Sequence, residues 1–183
     1  DNTCGGSLNA LALSGGAAPG TAGGRYADFD FLRINGPGQV AFCSGAVLSS
    51  VCRGGYYVTD GVSAAPLAQV GLTPPGWVGA GTVNQLRPLA FNDAGQAAFN
   101  VAVFGDRPPG ADSGEAILRS LGGGAVASIA LAGQTAPDTG GALMRNLQNV
   151  VALNNAGQVA FGTLLSAGAS GDRALFRSSA SGG

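Results

Sequence analysis

The apolar and polar positions of this chain follow one motif that occurs three times, N-x-x-G-Q-x-A-F. It reads NGPGQVAF from Asn35, NDAGQAAF from Asn92 and NNAGQVAF from Asn154. A strand that begins at its Gln carries the Phe on one face and the Ala on the other, because side chains alternate along a strand. A strand that is apolar on both faces is typical of a sheet packed between two layers.

The polar half of the motif predicts a tight turn between two strands. The Asn side chain can cap its own turn, and the Gly stands where the backbone takes positive φ. We therefore expect a hairpin loop of about three to five residues at each copy. The predicted turn residues are Asn35, Gly38, Gln39, Asn92, Gly95, Gln96, Asn154, Gly157 and Gln158.

Two further signatures accompany each copy, at intervals that barely change. LALSGGAAPG, LAQVGLTPPG and IALAGQTAPD precede the turns, and GYYVTDG, EAILRSL and RALFRSS follow them. Such order at a fixed spacing indicates a tandem repeat. We predict an all-β chain of three antiparallel sheet units, each propeller-blade-like or prism-like with about four strands, forming a single repeat domain over 1–183. The expected segments are an N-terminal strand and linker (1–24), repeat 1 (25–66), repeat 2 (67–128) and repeat 3 (129–183).

The order of the signatures leaves a spare strand at the N-terminal end of the repeat array and a vacant strand position at its C-terminal end. The chain opens with a strand predicted at Leu8–Ser14, of the type that elsewhere follows a closing strand. The closing strand at Arg173–Ser178 has no such follower. The N-terminal strand could close the array within the chain or insert into a neighbouring copy. The expected donor residues are Leu8, Leu11 and Leu13, and the expected acceptor residues are Leu175 and Phe176.

The composition excludes most of the side chains on which enzymes commonly rely for catalysis. Only 10% of the residues are charged, Lys and His are absent, and Glu115 is the single Glu. There is thus no imidazole base or metal ligand and no lysine nucleophile, and we expect no cofactor, no metal and no enzyme activity. The carboxylate pairs Asp28/Asp30 and Asp106/Asp112 fit exposed side chains better than an acid/base site.

The net charge and the length of the apolar runs indicate whether nucleic acid or a membrane is an expected partner. The net charge of −1 gives no field for nucleic acid. No apolar run reaches the roughly 18–20 residues of a membrane helix, so we expect no membrane insertion.

Two of the three Cys suggest an oxidising compartment. Cys43 and Cys52 bracket eight residues, as the arms of a hairpin would. This spacing favours a disulfide, with two buried thiols as the alternative, and it leaves Cys4 free or paired elsewhere. The chain starts at Asp1 without a signal-peptide pattern, which is typical of a mature product.

With all three motif copies, the chain resembles the secreted bacterial tandem-repeat proteins that carry the N-x-x-G-x-x-A-F repeat. The resemblance implies an extracellular or cell-surface β-repeat protein and carries over no reaction. Our leading hypothesis is a structural subunit that assembles with copies of itself into a filament or surface layer. The alternative is a closed monomeric module that binds glycans through Trp77, Tyr56 or Tyr57.

Overall fold

The structure is a computed structural model, and it describes residues 9–48, 51–166 and 172–179. Within these ranges it contains eleven strands and no helix, and all the strand pairs are antiparallel, so the all-β prediction is confirmed. The strands are β1 (Phe29–Ile34), β2 (Val40–Leu48), β3 (Val51–Thr59), β4 (Ala64–Gln69), β5 (Gly81–Phe91), β6 (Ala97–Gly105), β7 (Glu115–Gly122), β8 (Ala125–Leu131), β9 (Met144–Leu153), β10 (Val159–Leu165) and β11 (Arg173–Arg177).

The strands form two sheets. The larger has eight strands in the order β1-β2-β3-β5-β6-β7-β8, with β4 paired to β3, and the smaller has the order β11-β10-β9. We expected one sheet for each repeat, but repeats 1 and 2 share a sheet because Cys52 pairs with Leu86. This single bridge forms where β3 extends past the end of β4.

One order of strands recurs along the chain. A strand leads into each N-x-x-G turn (β1, β5, β9), a second leaves it (β2, β6, β10) and a third pairs with the second (β3, β7, β11). A fourth strand then pairs with the third, β4 with β3 and β8 with β7. β4 crosses the expected boundary between residues 66 and 67, and it pairs with repeat 1 rather than with repeat 2.

The pre-turn strands share an irregularity. The register of β1 on β2 shifts between Asp30 and Arg33, and that of β5 on β6 shifts between Leu86 and Leu89. Pro88 lies inside the second shift, which agrees with the irregularity expected from a residue that cannot donate to the ladder. β9 shifts against β10 at the corresponding place.

The core lies between successive repeats. One cluster packs Ala41 and Tyr56 of repeat 1 against Leu86 and Phe99 of repeat 2. A second cluster packs the opposite face of repeat 2 against repeat 3, with Ala98, Ile117, Leu147 and Phe161 among its members. Neighbouring residues Ala98 and Phe99 are therefore both buried, on opposite faces of β6, as the strand pattern predicts.

The predicted N-terminal strand is not a strand in this structure. Leu8 lies outside the described residues, 9–13 have no regular structure, and a turn begins at Ser14. The corresponding stretches of β4 and β8 pair with β3 and β7. Within the described ranges no strand lies beside residues 9–13, and strand geometry needs such a partner for its backbone hydrogen bonds.

The disulfide prediction is confirmed. Cys43 and Cys52 are joined by a disulfide that crosses the β2–β3 hairpin, and both side chains are fully buried. Cys4 lies outside the described residues.

Candidate functional site

The three turns share one hydrogen-bond pattern. In the first, the Asn35 carbonyl accepts from Gly38 N at 3.0 Å, and Asn35 Oδ1 accepts from Gln39 N at 2.8 Å. Asn35 Nδ2 donates to Gln39 Oε1 at 2.8 Å. The same three bonds form at Asn92 and at Asn154. The Asn and the Gln recur because each turn uses both side chains.

The glycines of these turns take the predicted conformation. The φ angles of Gly38, Gly95 and Gly157 are 87°, 74° and 76°. A residue with a side chain would be strained at these positions, because the turn requires a backbone conformation that non-glycine residues rarely adopt.

The turns also bond to one another, in a row that we call the turn ladder. Asn35 Nδ2 donates to the Asn92 carbonyl at 3.0 Å, and Asn92 Nδ2 donates to the Asn154 carbonyl at 2.9 Å. Thus the same side-chain nitrogen that closes one turn also holds the next repeat in register.

Asp93 adds a second row to the turn ladder. Its carboxylate accepts from Gly36 N at 2.7 Å and from Asn155 Nδ2 at 2.7 Å. Its own backbone N donates to Asn155 Oδ1 at 3.0 Å. The bond from Gly36 N, and secondarily the one from Asn155, lowers the pKa of the Asp93 carboxyl, because both donors favour the charged form.

The ladder is open at repeat 3. Asn154 is exposed, and its Nδ2 bonds only to Gln158 Oε1 among the described residues. Asn35 is half-buried at the other end, and among the same residues its carbonyl accepts only from Gly38 N.

The predicted acceptor strand is an open sheet edge. β11 pairs with β10, and no other described strand pairs with it. Leu175 is 81% exposed, whereas its counterparts Tyr56 and Ile117 in β3 and β7 are fully buried. Phe176 is half-buried against Phe161, with ring centroids 5.8 Å apart.

Of the predicted donor residues, the structure describes Leu11 and Leu13, and neither pairs with that edge. Leu11 and Leu13 are 42% and 68% exposed. The segment after them folds back on itself through a bridge between Ala17 and Arg25, and it covers Phe42 and Tyr57 on the outer face of repeat 1. Leu11 and Leu13 therefore remain exposed, as does Leu175 of the acceptor strand.

Sequence analysis missed a polar cluster between repeats 2 and 3. Arg87 and Glu115 form an ion pair at 2.6 Å, with side chains 17% and 7% exposed. The second carboxylate oxygen of Glu115 accepts from Leu147 N at 2.8 Å. Asn100 Nδ2 donates to the Leu147 carbonyl at 2.9 Å, and Arg87 also donates to Asn149. The only signal in the sequence is that Glu115 is the single Glu of the chain.

The aromatic residues considered for glycan stacking are buried. Tyr56 and Tyr57 lie in the core, and Trp77 is 8% exposed with its indole Nε1 donating to the Asp106 carbonyl. Their ring faces are therefore not presented to a sugar.

The four Asp residues weighed as possible acid/base pairs are either bonded to other groups or exposed. Asp106 accepts from Ala80 N, and Asp112 pairs with Arg145 at 2.6 Å on the surface. Asp28 and Asp30 are exposed, as expected. Across the described ranges, no group of three or more His, Cys, Asp and Glu side chains is placed to hold a metal ion.

The family described as "Family of unknown function (DUF7453)" matches residues 2–183. The chain therefore belongs to this family. No curated protein and no solved structure matches the chain. The described part of the chain contains no helix with the length and hydrophobicity to span a membrane.

Proposed function

We propose that this chain is a structural, self-assembling subunit of an extracellular filament or surface layer. In this proposal three blade-like units follow one another, and the N-terminal segment of one copy completes the last unit of its neighbour. The observation that carries the proposal is the open edge of β11.

Among the described strands, none takes the fourth position beside β11. β4 covers the outer edge of β3, and β8 covers that of β7. β11 occupies the same place in repeat 3, since Phe161 pairs with Phe176 as Phe99 pairs with Leu118. An uncovered edge presents unpaired N–H and C=O groups and is a ready template for a strand from another chain.

The N-terminal segment resembles the C-terminal ends of β4 and β8. β4 and β8 each lead to a Gly that donates to the strand that follows, from Gly71 N to the Val83 carbonyl and from Gly133 N to the Met144 carbonyl. Gly15 N makes the same bond to the Tyr26 carbonyl at 2.8 Å. Residues 9–13 thus correspond to the last residues of β4 and β8. They differ from those strands in that no described strand pairs with them.

The internal pairs predict a register for the donated strand. Leu131 pairs with Ala116 and Ala130 with Ile117. Counting back from the equivalent glycines Gly133 and Gly15 places Leu13 opposite Ala174 and Ala12 opposite Leu175 of the acceptor. The register slips in both internal copies just beyond these two pairs, between Tyr56 and Tyr57 and between Ile117 and Leu118. We therefore expect a bulge at Leu11.

The joint is of modest strength by itself. Burying the side chains of Leu11 and Leu13 contributes about 1.5–3 kcal/mol each before the entropy of association. Further contacts between copies are needed for a stable filament.

An extracellular location is part of the proposal. The buried disulfide is compatible with an oxidising compartment. The resemblance to secreted repeat proteins points in the same direction.

Deletion of residues 1–14 tests strand donation. We expect the full chain to form rods in negative-stain images and a concentration-dependent high-mass peak in size-exclusion chromatography. The deletion variant should stay monomeric, and a synthetic peptide of residues 8–14 should cap the full chain. Deletion of residues 1–7 is the matched control and should assemble like the full chain. Rods from the 1–14 deletion would show that donation is not the joint.

A further inference from the structure

We propose that the outer face of repeat 3 docks on the outer face of repeat 1 of a second copy, and that the turn ladder continues across this joint. This inference rests on the proposed self-assembly, and it names the surfaces, polarity and register of the contact. Its occupant is a second copy of this chain.

The chain already builds this contact twice. Repeat 1 stacks on repeat 2, and repeat 2 stacks on repeat 3, through the same strand positions. The bonds from Asn35 to Asn92 and from Asn92 to Asn154 are the same bond one repeat apart. A third use of the contact would involve the part of the repeat 1 face that the N-terminal segment leaves uncovered, because Phe42 and Tyr57 are already buried under that segment.

The outer face of repeat 1 exposes apolar side chains that its internal counterparts bury. Leu32 is 58% exposed, whereas Leu89, at the same place before the second turn, is 3% exposed. Phe29 is 37% exposed, whereas Leu86 is fully buried against repeat 1. Phe29 and Leu86 are equivalent. Phe29 pairs with Ser44 and Leu86 pairs with Val101, and Ser44 and Val101 each lie two residues after the Phe of the motif.

The outer face of repeat 3 is the complementary case. Leu175 is 81% exposed, while Ile117 at the same position is fully buried between repeats 2 and 3. Among the described residues the two outer faces do not cover each other, and in this proposal each is covered by the opposite face of a second copy. Exposed apolar side chains gathered on a face mark an interaction surface.

The polar groups of the two faces also match. Arg119 Nη1 donates to the Gly157 carbonyl at 2.8 Å, which ties repeat 2 to the turn of repeat 3. Arg177 is the counterpart of Arg119, since Ala160 pairs with Arg177 as Ala98 pairs with Arg119. Arg177 is exposed. Docking would bring it to the Gly38 carbonyl of the second copy.

The same docking continues the ladder. Asn154 Nδ2 would donate to the Asn35 carbonyl of the second copy, which accepts from no other repeat among the described residues. The joint is head-to-tail, because the outer face of repeat 3 is complementary to that of repeat 1 and not to itself. A head-to-tail joint that does not close grows into a fibre.

Two charge substitutions test the polarity of the joint. Leu175→Asp places a carboxylate on the repeat 3 face, and Leu32→Asp places one on the repeat 1 face. Each should raise the concentration needed for assembly by about a hundredfold or more, because docking would bury an unpaired charge. Leu121→Asp, at a 59% exposed side chain in the β7–β8 hairpin, is the matched control and should assemble like the unaltered chain.

Mixing the two variants gives the sharper result. Each variant alone keeps one working face and should be monomeric by native mass spectrometry. An equimolar mixture should form heterodimers, because one intact pair of faces remains. Thermal melts check that each variant is folded, and Ile34→Asp with Arg177→Glu provides a second pair of substitutions on the same two faces.

The outcomes separate this inference from strand donation. Polymer from either variant alone, homodimers of either variant, or a mixture that stays monomeric would overturn the docking. Assembly lost in Leu121→Asp as well would also overturn it, because the effect would then be one of charge alone. If Leu32→Asp assembles normally while the 1–14 deletion does not, donation stands and docking fails. If the unaltered chain stays monomeric at every concentration, both strand donation and docking are wrong.

Discussion

The junction between repeats 1 and 2 and the junction between repeats 2 and 3 occupy the same place in the fold but differ in chemistry. At the first, Cys43 is in a disulfide and Tyr56 packs on Phe99, with ring centroids 5.5 Å apart. At the second, the position of Cys43 is taken by Asn100, whose side chain bonds to the backbone of repeat 3. The backbone arrangement thus repeats, while the side chains that fill it do not.

Arg87 belongs to both junctions. Its carbonyl accepts from the Tyr56 hydroxyl at 2.8 Å, and its guanidinium pairs with Glu115. A buried hydrogen bond to a neutral donor contributes little net free energy, whereas removal of one member of a buried ion pair leaves the other uncompensated. The polar junction should therefore be the more sensitive of the two to a single substitution.

Glu115→Ala is expected to have the largest effect. It leaves the Arg87 guanidinium without its carboxylate and Leu147 N without its acceptor. We expect a loss of about 3–5 kcal/mol in the free energy of unfolding, measured by urea denaturation. Asp112→Ala breaks the exposed pair with Arg145 and should cost less than about 1 kcal/mol. Equal losses in the two variants would contradict the difference in burial.

Removal of the disulfide is the corresponding change at the first junction. The double substitution Cys43→Ala and Cys52→Ala opens a loop with a sequence separation of 9 and should cost about 2–3 kcal/mol. The measurement is the shift of the urea midpoint relative to the oxidised protein. Reduction of the unaltered chain under denaturing conditions, followed by refolding with reductant, should give a similar shift. A midpoint that does not move would show that the apolar packing holds the hairpin unaided.

These two junctions show what could be predicted from the sequence. The turns at Asn35, Asn92 and Asn154 were predictable because their residues are adjacent and their φ requirement singles out Gly. Phe and Ala were placed on opposite faces by alternation alone. Those signals are local, and they carry most of the fold.

The rest depended on contacts between distant residues. Arg87 and Glu115 are 28 residues apart, and no periodicity relates them. The turn ladder joins residues 57 apart, so the repeated Asn was recognised as a cap and not as a link between repeats. The strand expected over Leu8–Ser14 is mostly apolar, but no described strand lies beside it, and a β-strand cannot be predicted from one segment alone.

Tyr56→Phe should have a smaller effect than either change above. It removes the hydroxyl that donates to the Arg87 carbonyl and keeps the ring in the core. We expect a loss of about 1 kcal/mol by urea denaturation. Tyr26→Phe is the control, since its ring is also buried and its hydroxyl makes no hydrogen bond among the described residues. A loss of more than about 3 kcal/mol would mean that Arg87 needs Tyr56 to hold its ion pair.

The smallest effect concerns acid pH and the turn ladder. Asp93 bonds to Gly36 and Asn155, and these bonds lower the pKa of its carboxyl in the folded chain. A lowered pKa in the folded state means that the unfolded state binds the proton first, so the stabilisation is present above the ordinary Asp pKa of about 3.9 and is lost as the pH falls below it.

Asp93→Asn should remove that dependence, since Asn already stands at the equivalent position 155. Urea midpoints of both proteins, taken from neutral pH downward, should differ most above the ordinary Asp pKa and converge in stronger acid. Asp60 is a built-in reference, because its pKa is also lowered, by the backbone N–H groups of Ser63 and Val62, and it is unchanged in both proteins. Curves that stay parallel at every pH would mean that the Asp93 carboxylate adds nothing to the ladder, which would then be held by the Asn side chains alone.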